Sequence, residues 1–238
     1  MEGATLTLRL LAALALAAVA TSAGCISPVG STAASMLRKV NESNDPNIRH
    51  IAYAKLGSSK VYDDDAQKTE AATVLSKKLA AGAEPVASRV AICRTLGELG
   101  RPEARGVILR ATNDHDESAV RAAACRALGR VGSPDDWTVL AQVMAGDPDL
   151  DCRIAAIEGL SQMKVADPRL DLMLVDGMEH TEPAIRLASL QALKSLSGQD
   201  LGAEPAAWKK YAEERMKVVA PAKVPHANGS SPPAPAPG

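Results

Sequence analysis

Apolar residues recur at helical spacing through the middle of the chain, most clearly between residues 116 and 145. Seven of them fall three or four residues apart, which places them on one face of an α-helix: Ala119, Val120, Ala123, Ala124, Ala127, Leu128 and Val131. Asp116 can cap the start of this helix, and Gly132 can end it. Ser133 and Pro134 then begin a second helix that runs to about residue 145. The segment therefore predicts a pair of antiparallel helices.

The same pattern returns along the chain at a nearly fixed interval. Four arginines are separated by 32, 32 and 33 residues: Arg89, Arg121, Arg153 and Arg186. A leucine follows each of them seven positions later, at Leu96, Leu128, Leu160 and Leu193. A more distant first unit begins at Asp45-Pro46 and contains Arg49. A period of roughly 20–50 residues indicates a stack of similar units rather than one globular core.

These units predict an all-α protein, an α-solenoid of about five helical pairs. No window alternates apolar and polar residues over the length of a strand. The chain contains no Phe, so the predicted core consists of Ala, Leu, Val and Ile. Glu204-Pro205 can start a last helix, on which Trp208 and Tyr211 would cover the exposed end of the stack.

Two stretches carry the repeat in its fullest form, an acidic residue followed by Arg, Leu-Gly and Gly-x-Pro. They are Glu84 to Pro102 and Asp116 to Pro134. The pattern resembles HEAT repeats, and more narrowly the short HEAT-like form of phycobilin lyase subunits. The resemblance covers about residues 45–197, although Leu-Gly becomes Leu160-Ser161 and Leu193-Lys194 in the last two units. It implies stacked helix pairs that form a binding surface.

The start of the chain indicates secretion. Residues 10–20 form an apolar run that is shorter than the roughly 20 residues of a membrane-spanning helix. Residues 22–25 resemble a bacterial lipobox, with Ser22 where Leu is usual, and this resemblance implies a lipid on Cys25. The alternative is cleavage after Ala20, which leaves Cys25 as a free thiol. With the lipid, the protein would be held on the exported side of the cell envelope, in the periplasm or at the cell surface.

Four segments follow from these patterns. Residues 1–24 are predicted to be a signal peptide of the lipoprotein type, and residues 25–44 a flexible tether. Residues 45–218 form the helix array. Residues 219–238 are rich in Pro and Ala and have too few large apolar side chains for a core, so a disordered tail is predicted.

The repeated arginines allow two interpretations, a stripe that binds anions or a structural ladder between units. Acidic residues lie in the neighbouring turns, among them Asp114, Asp147 and Glu182. A charge-assisted hydrogen bond to one of these would fix one unit to the next. We therefore predict an inter-repeat structural role for the arginine of every unit: Arg49, Arg89, Arg121, Arg153 and Arg186.

Little in the sequence indicates reaction chemistry. A net charge of −1, with both signs mixed along the units, argues against a nucleic-acid groove. Cys93 and Cys125 occupy equivalent places in successive units, and we expect them, like Cys152, to be buried thiols. The acidic residues around His115 lack a second His at helical spacing, so no metal site is predicted. No nucleophile motif or phosphate-binding loop occurs, so no cofactor or small-molecule substrate is expected.

The resulting hypothesis is a non-enzymatic scaffold that binds a protein or peptide on the concave face of the array. The second helix of each pair should line that face. The candidate contact residues are those expected to point to solvent from these helices: Arg105, Arg110, Asp136, Trp137, Gln142, Arg169 and Asp171. Packing between neighbouring second helices is the alternative role of Trp137. The alternative functions are a self-assembling structural component of the envelope and a bilin-lyase-like enzyme subunit.

Overall fold

The structure, a computed structural model, describes residues 32–114, 117–163, 165 and 167–219. In these ranges the chain forms eleven α-helices and no strand. The first five helices are α1 Ala33–Glu42, α2 Pro46–Lys55, α3 Asp65–Ala81, α4 Val86–Leu99 and α5 Arg105–Ala111. The other six are α6 Ser118–Val131, α7 Trp137–Gly146, α8 Leu150–Gln162, α9 Pro168–Met178, α10 Pro183–Ser197 and α11 Pro205–Val219.

The helices form two rows. The first helices of successive pairs pack against one another in the order α2, α4, α6, α8 and α10, and each second helix packs against its own first helix or the next one. The leucine of each unit is fully buried between the rows: Leu56, Leu96, Leu128, Leu160 and Leu193. The predicted all-α solenoid is thus confirmed.

The helix pair between residues 116 and 145 differs from expectation in detail. Gly132 follows α6, but its φ of −69° is that of extended backbone, so the helix ends without a left-handed cap. Residues 134–136 form one turn of 3-10 helix before α7 begins. Ser133 and Asp136 make a reciprocal capping box around this turn. Asp136 therefore hydrogen-bonds to backbone instead of pointing to solvent.

Helix α1 corrects the predicted tether of residues 25–44 for the part from Ala33 to Glu42, while residues 25–31 lie outside the described residues. Its four buried residues fall at helical spacing and pack on α2 and α3: Ala33, Met36, Leu37 and Val40. The side chain of Thr32 accepts a hydrogen bond from the backbone N–H of Ser35 at 3.3 Å, which caps the helix start. The array therefore begins before residue 45. The predicted signal peptide, Cys25 and the tail from residue 220 lie outside the described residues.

The last helix, α11, covers the exposed side of α9. Trp208 is fully buried, and its indole N–H donates a hydrogen bond to the carbonyl of Gly202 at 2.9 Å. Tyr211 packs edge-on against Trp208 with ring centroids 6.0 Å apart. An aromatic contact of this kind adds about 0.5–1.5 kcal/mol beyond burial of area. No helix in the described ranges is long and apolar enough to cross a membrane.

Candidate functional site

Three of the repeated arginines join their unit to the turn that precedes the next one. Arg49 donates to Glu84 at 3.0 Å, Arg89 to Asp114 at 2.5 Å, and Arg121 to Asp147 at 2.8 and 3.0 Å. The three arginine side chains are only 13–17% exposed. A ligand from solution would therefore have to displace an existing buried carboxylate to reach them.

The Arg121–Asp147 pair shows why these groups are structural. The hydrogen bond from Arg121 lowers the pKa of the Asp147 carboxyl, and this effect outweighs burial, which acts in the opposite direction. The backbone N–H of Asp149 also donates to the same carboxylate at 2.9 Å. Asp147 is thus ionised at neutral pH and already satisfied by the protein.

The repeated arginines of the last two units make different contacts from the first three. Arg153 donates to the carbonyl of Met144 at 2.9 Å, and its guanidinium lies 2.9 Å from the ring Nε2 of His180. Arg186 donates to the carbonyls of His180 and Thr181 at 2.9 and 2.8 Å. A carbonyl or imidazole thus replaces the carboxylate that the repeat pattern suggested.

Two of the predicted contact residues are not available to a partner. Asp136 is 4% exposed and accepts two hydrogen bonds from Arg105, at 2.6 and 2.7 Å. Asp171 is 2% exposed and is paired with Arg215 of α11. The expectation that both point to solvent is wrong, because each faces the start of a neighbouring second helix or the helix that closes the array.

Trp137 is also largely buried, with 9% of its surface exposed. The guanidinium of Arg169 lies 5.4 Å from the centre of its ring, a cation–π contact between α7 and α9. Arg169 also donates to the carboxylate of Asp167. Trp137 therefore packs between second helices, which was the alternative role.

The second helices carry a row of charge contacts that the sequence did not predict. Arg101 pairs with Asp65 at 2.6 Å, and Arg105 with Asp136 near the start of α7. The Arg215–Asp171 pair continues this row toward α11. A signal was present in the chain, since an acidic residue stands in the first turn or cap of α3, α7 and α9. Of the predicted contact residues, Arg110 and Gln142 remain exposed without such a partner among the described residues.

An open groove on the first-helix row lies between α4 and α6. We call it the arginine groove, and its volume is about 210 Å³. Its lining comes from α4 (Val90, Arg94, Gly97 and Glu98) and from α6 (Ala119, Ala123, Arg126, Ala127 and Arg130). The floor is aliphatic and the rim is charged. The sequence did not reveal this groove because its residues belong to two successive units. The distance between the two units cannot be read from the sequence of either one.

A second cavity of about 400 Å³ lies at the ends of α5 and α7. Arg121, Asp114 and Asp147 of the arginine ladder form part of its wall. The charged groups in its wall thus already serve to join the units.

Cys93, Cys125 and Cys152 are free and completely buried. Burial raises the pKa of the first two thiols to about 12 and that of Cys152 to about 11. Cys152 also donates to the carbonyl of Ser118 at 3.1 Å. These thiols are protonated at neutral pH and are poor nucleophiles. No group of three or more His, Cys, Asp or Glu suited to a metal ion occurs in the part of the chain that the structure describes.

Comparison with known proteins agrees with this geometry. A family model described as HEAT repeats matches residues 72–161, which cover α4 to α7 and nearly all of α8. Residues 72–161 thus match HEAT repeats. Its array also resembles solved structures, of which eighteen chains match. None of the curated proteins matches the chain.

One of these solved structures is the complex of CpcE and CpcF of phycocyanin lyase from Nostoc sp. PCC7120. The TM-score is 0.57 at 18% sequence identity, and the match covers 78% of this chain and 76% of the other. At this identity the likeness concerns the fold. It nevertheless overturns the prediction that the chain is not an enzyme, because a lyase complex is built on the same fold. A helix array without a nucleophile motif does not exclude enzymatic function.

Proposed function

We propose that this HEAT-repeat protein binds a partner protein through the outer face of its first-helix row, while a lipid on Cys25 holds it at the cell envelope. The arginine groove is the observation that carries the partner-binding part. Among the described residues it combines an open aliphatic floor with exposed charged side chains, as a binding patch does. The second helices are less suitable because most of their candidate contacts are already paired.

Packing on either side of the groove supports this choice. Between α6 and α8 the backbones touch, since a Cβ added to Gly129 would lie 2.4 Å from the carbonyl oxygen of Gly159. Between α4 and α6 a similar approach occurs at Gly97, and the groove remains open beside this contact. The first-helix row therefore offers a recess in a closely packed surface.

The proposal of a lipid anchor depends on the sequence of residues 10–25. An apolar run followed by Ala-Gly-Cys supports lipid attachment at Cys25, and several acyl chains would make the attachment durable. Mass spectrometry of the mature N-terminus tests this part by itself. A lipid-modified Cys25 is expected, whereas an unmodified terminus at Thr21 would reject the anchor and leave the partner-binding proposal standing.

Crosslinking from native membranes tests partner binding. The wild-type chain is compared with Arg94→Glu in the groove and with Arg110→Glu on the second-helix side as a matched charge reversal. A partner captured by the wild type and by Arg110→Glu, but lost with Arg94→Glu, is the expected result. Equal capture by all three proteins, or loss only with Arg110→Glu, would reject the groove as the binding face.

A second candidate function is that of a subunit of a bilin lyase. The likeness to the phycocyanin lyase complex over most of both chains supports it. The protein is incubated with a bilin and an apo-phycocyanin acceptor, alone and with a co-purified partner. Pigment that stays on the acceptor under denaturing conditions would establish this activity. Its absence in both reactions, beside transfer by an authentic lyase, would remove the candidate.

A further inference from the structure

The rim of the arginine groove carries more positive than negative charge. Arg94, Arg126 and Arg130 line it, whereas Glu98 is its one acidic side chain. Arg126 forms a salt bridge with Glu158 of α8, and Arg130 donates to the side-chain amide oxygen of Gln162 at 2.8 Å. Both contacts are on the side away from α4, so the described lining of the groove contains no carboxylate that neutralises its arginines apart from Glu98.

Arg94 is the least compensated of the three arginines. It is exposed, and it makes no ion pair or side-chain hydrogen bond with the residues that the structure describes. Glu98 stands one turn further along α4, but no salt bridge joins it to Arg94. A guanidinium in this state retains its full set of donors for a planar carboxylate, which it can bind through two parallel hydrogen bonds.

The floor indicates the other half of the ligand. Val90 and three alanines, Ala119, Ala123 and Ala127, present aliphatic carbon to the groove. The volume of about 210 Å³ lies below the roughly 300–1,000 Å³ of a typical small-molecule pocket. A single aliphatic side chain fits this space better than a cofactor does.

We infer that the groove receives an acidic segment of the partner protein, in which an aliphatic side chain lies on the alanine floor. Carboxylates on either side of that anchor bind Arg94 on one wall and Arg130 on the other. This inference rests on the proposed function, because it names the chemistry of the partner at the same groove. In this arrangement the aliphatic side chain forms the apolar centre of the contact and the charged groups form its polar rim, as in other protein–protein interfaces.

Selection from a random displayed peptide library tests the inference and does not require the partner itself. The folded protein is the target, and the bound peptides are sequenced. Peptides with Leu, Ile or Met flanked by Asp or Glu are expected. A synthetic peptide of the consensus sequence should bind about tenfold less tightly to Arg94→Glu, while Arg110→Glu binds it like the wild type.

A second variant probes the floor independently of charge. Ala119 is exposed at the groove, so Ala119→Leu adds bulk there without disturbing the core, and it should also weaken the consensus peptide. Binding should fall as salt rises, since the Arg–carboxylate contacts lie near the surface.

The possible results separate this inference from the proposed function. Peptides that need the groove but are not enriched in acidic residues would overturn the acidic segment and leave groove binding intact. Peptides indifferent to both groove variants, or no groove-dependent peptide at all, would also overturn the inference. The crosslinking experiment would then still decide whether a folded partner uses this face.

Discussion

At the scale of single residues, the arrangement of arginine and carboxylate decides which groups can serve function. Asp147 is 8% exposed in its side chain and Arg121 13%, so each is the other's main charge partner. A buried charge left without its partner is strongly destabilising. The arginine ladder thus fixes the repeats in place, whereas Arg94 on the outer face is left available for binding.

The first prediction concerns the Asp147 carboxylate. Asp147→Asn keeps an acceptor for the backbone N–H of Asp149 but removes the charge that faces Arg121. We expect the free energy of unfolding to fall by roughly 1.5–3 kcal/mol, the range for hydrogen bonds to charged groups. Urea unfolding followed by circular dichroism measures it. Asp176→Asn, an exposed site on α9, should change stability by less than about 0.5 kcal/mol. An equal loss of stability in the two variants would show that the Arg121–Asp147 pair does not stabilise the fold.

The second prediction follows from the pKa of the same carboxyl group. The hydrogen bond from Arg121 lowers the pKa of Asp147 in the folded protein, below the roughly 3.9 of an unfolded aspartate. A lowered pKa contributes stability that is present above the unfolded value and disappears as pH falls through the folded value.

Urea midpoints measured from about pH 6 down to about pH 3 should therefore fall more steeply for the wild type than for Asp147→Asn. Asp176→Asn should follow the wild-type curve. Parallel curves for the wild type and Asp147→Asn would show that this carboxyl does not contribute to acid sensitivity.

The same scale shows what a single sequence cannot provide. The sequence identified Arg121 and its acidic neighbours correctly as groups that lie near each other, because both are repeated at a fixed period. It placed Asp136 and Asp171 on the solvent side, yet Arg105 and Arg215 cover them. Burial of a helix residue depends on the rotation of the neighbouring helix, which periodicity within one helix does not determine.

At the scale of helices, small residues set the distance between units. Gly129 of α6 and Gly159 of α8 meet at backbone distance, and this contact closes the row on that side of the arginine groove. In an exposed helix interior, alanine is favoured over glycine by up to about 1 kcal/mol. At Gly129 the absence of a side chain is required by the neighbour instead.

The third prediction tests this spacing. A Cβ at position 129 would lie 2.4 Å from the Gly159 carbonyl oxygen and 2.7 Å from its Cα, so α6 and α8 must move apart. Gly129→Ala should destabilise the protein by roughly 1–3 kcal/mol, the usual effect of overpacking. At Gly106 of α5 the nearest atom would be 3.9 Å away, so Gly106→Ala should be neutral or stabilising. Thermal unfolding of both variants measures these changes in stability. A Gly129→Ala variant that is more stable than the wild type would contradict the close contact.

Helix α1 shows a different limit of sequence reasoning. The sequence between residues 25 and 44 contains small and polar residues, and this composition suggested a tether. Met36, Leu37 and Val40 nevertheless form an apolar stripe that α2 and α3 can cover. A ten-residue helix is marginal by itself and gains its stability from tertiary packing. This apolar stripe indicates a helix only once the helices that cover it are known.

At the scale of the whole molecule, the two ends of the first-helix row decide whether copies of the chain can stack. Ile48 and Ile51 of α2 are 43% and 53% exposed at one end, and Leu187 of α10 is 57% exposed at the other. Apolar surface at both ends would favour continuation of the array by a second copy. The alternative function of a self-assembling component would require such end-to-end continuation.

The repeat register opposes such stacking. At the α4–α6 and α6–α8 junctions, the position eight residues after the repeated arginine meets the position six residues after the next one: Gly97 meets Ala127, and Gly129 meets Gly159. At the two ends these positions are Lys194 and Lys55. A second copy in the same register would therefore bring two long cationic side chains together where the internal contacts have small residues.

The last prediction is that the soluble array remains monomeric because of these two lysines. Lys194 already pairs with Asp200 at 2.8 Å, but that contact does not remove its bulk from the end face. Sedimentation equilibrium at high protein concentration should give the monomer mass for residues 32–219. The double variant Lys55→Ala and Lys194→Gly restores the small residues of the internal contacts, and it should associate through Leu187 and Ile51. Wild-type chains that stack readily would show that the lysines do not block the ends, whereas a double variant that stays monomeric would show that they are not the barrier.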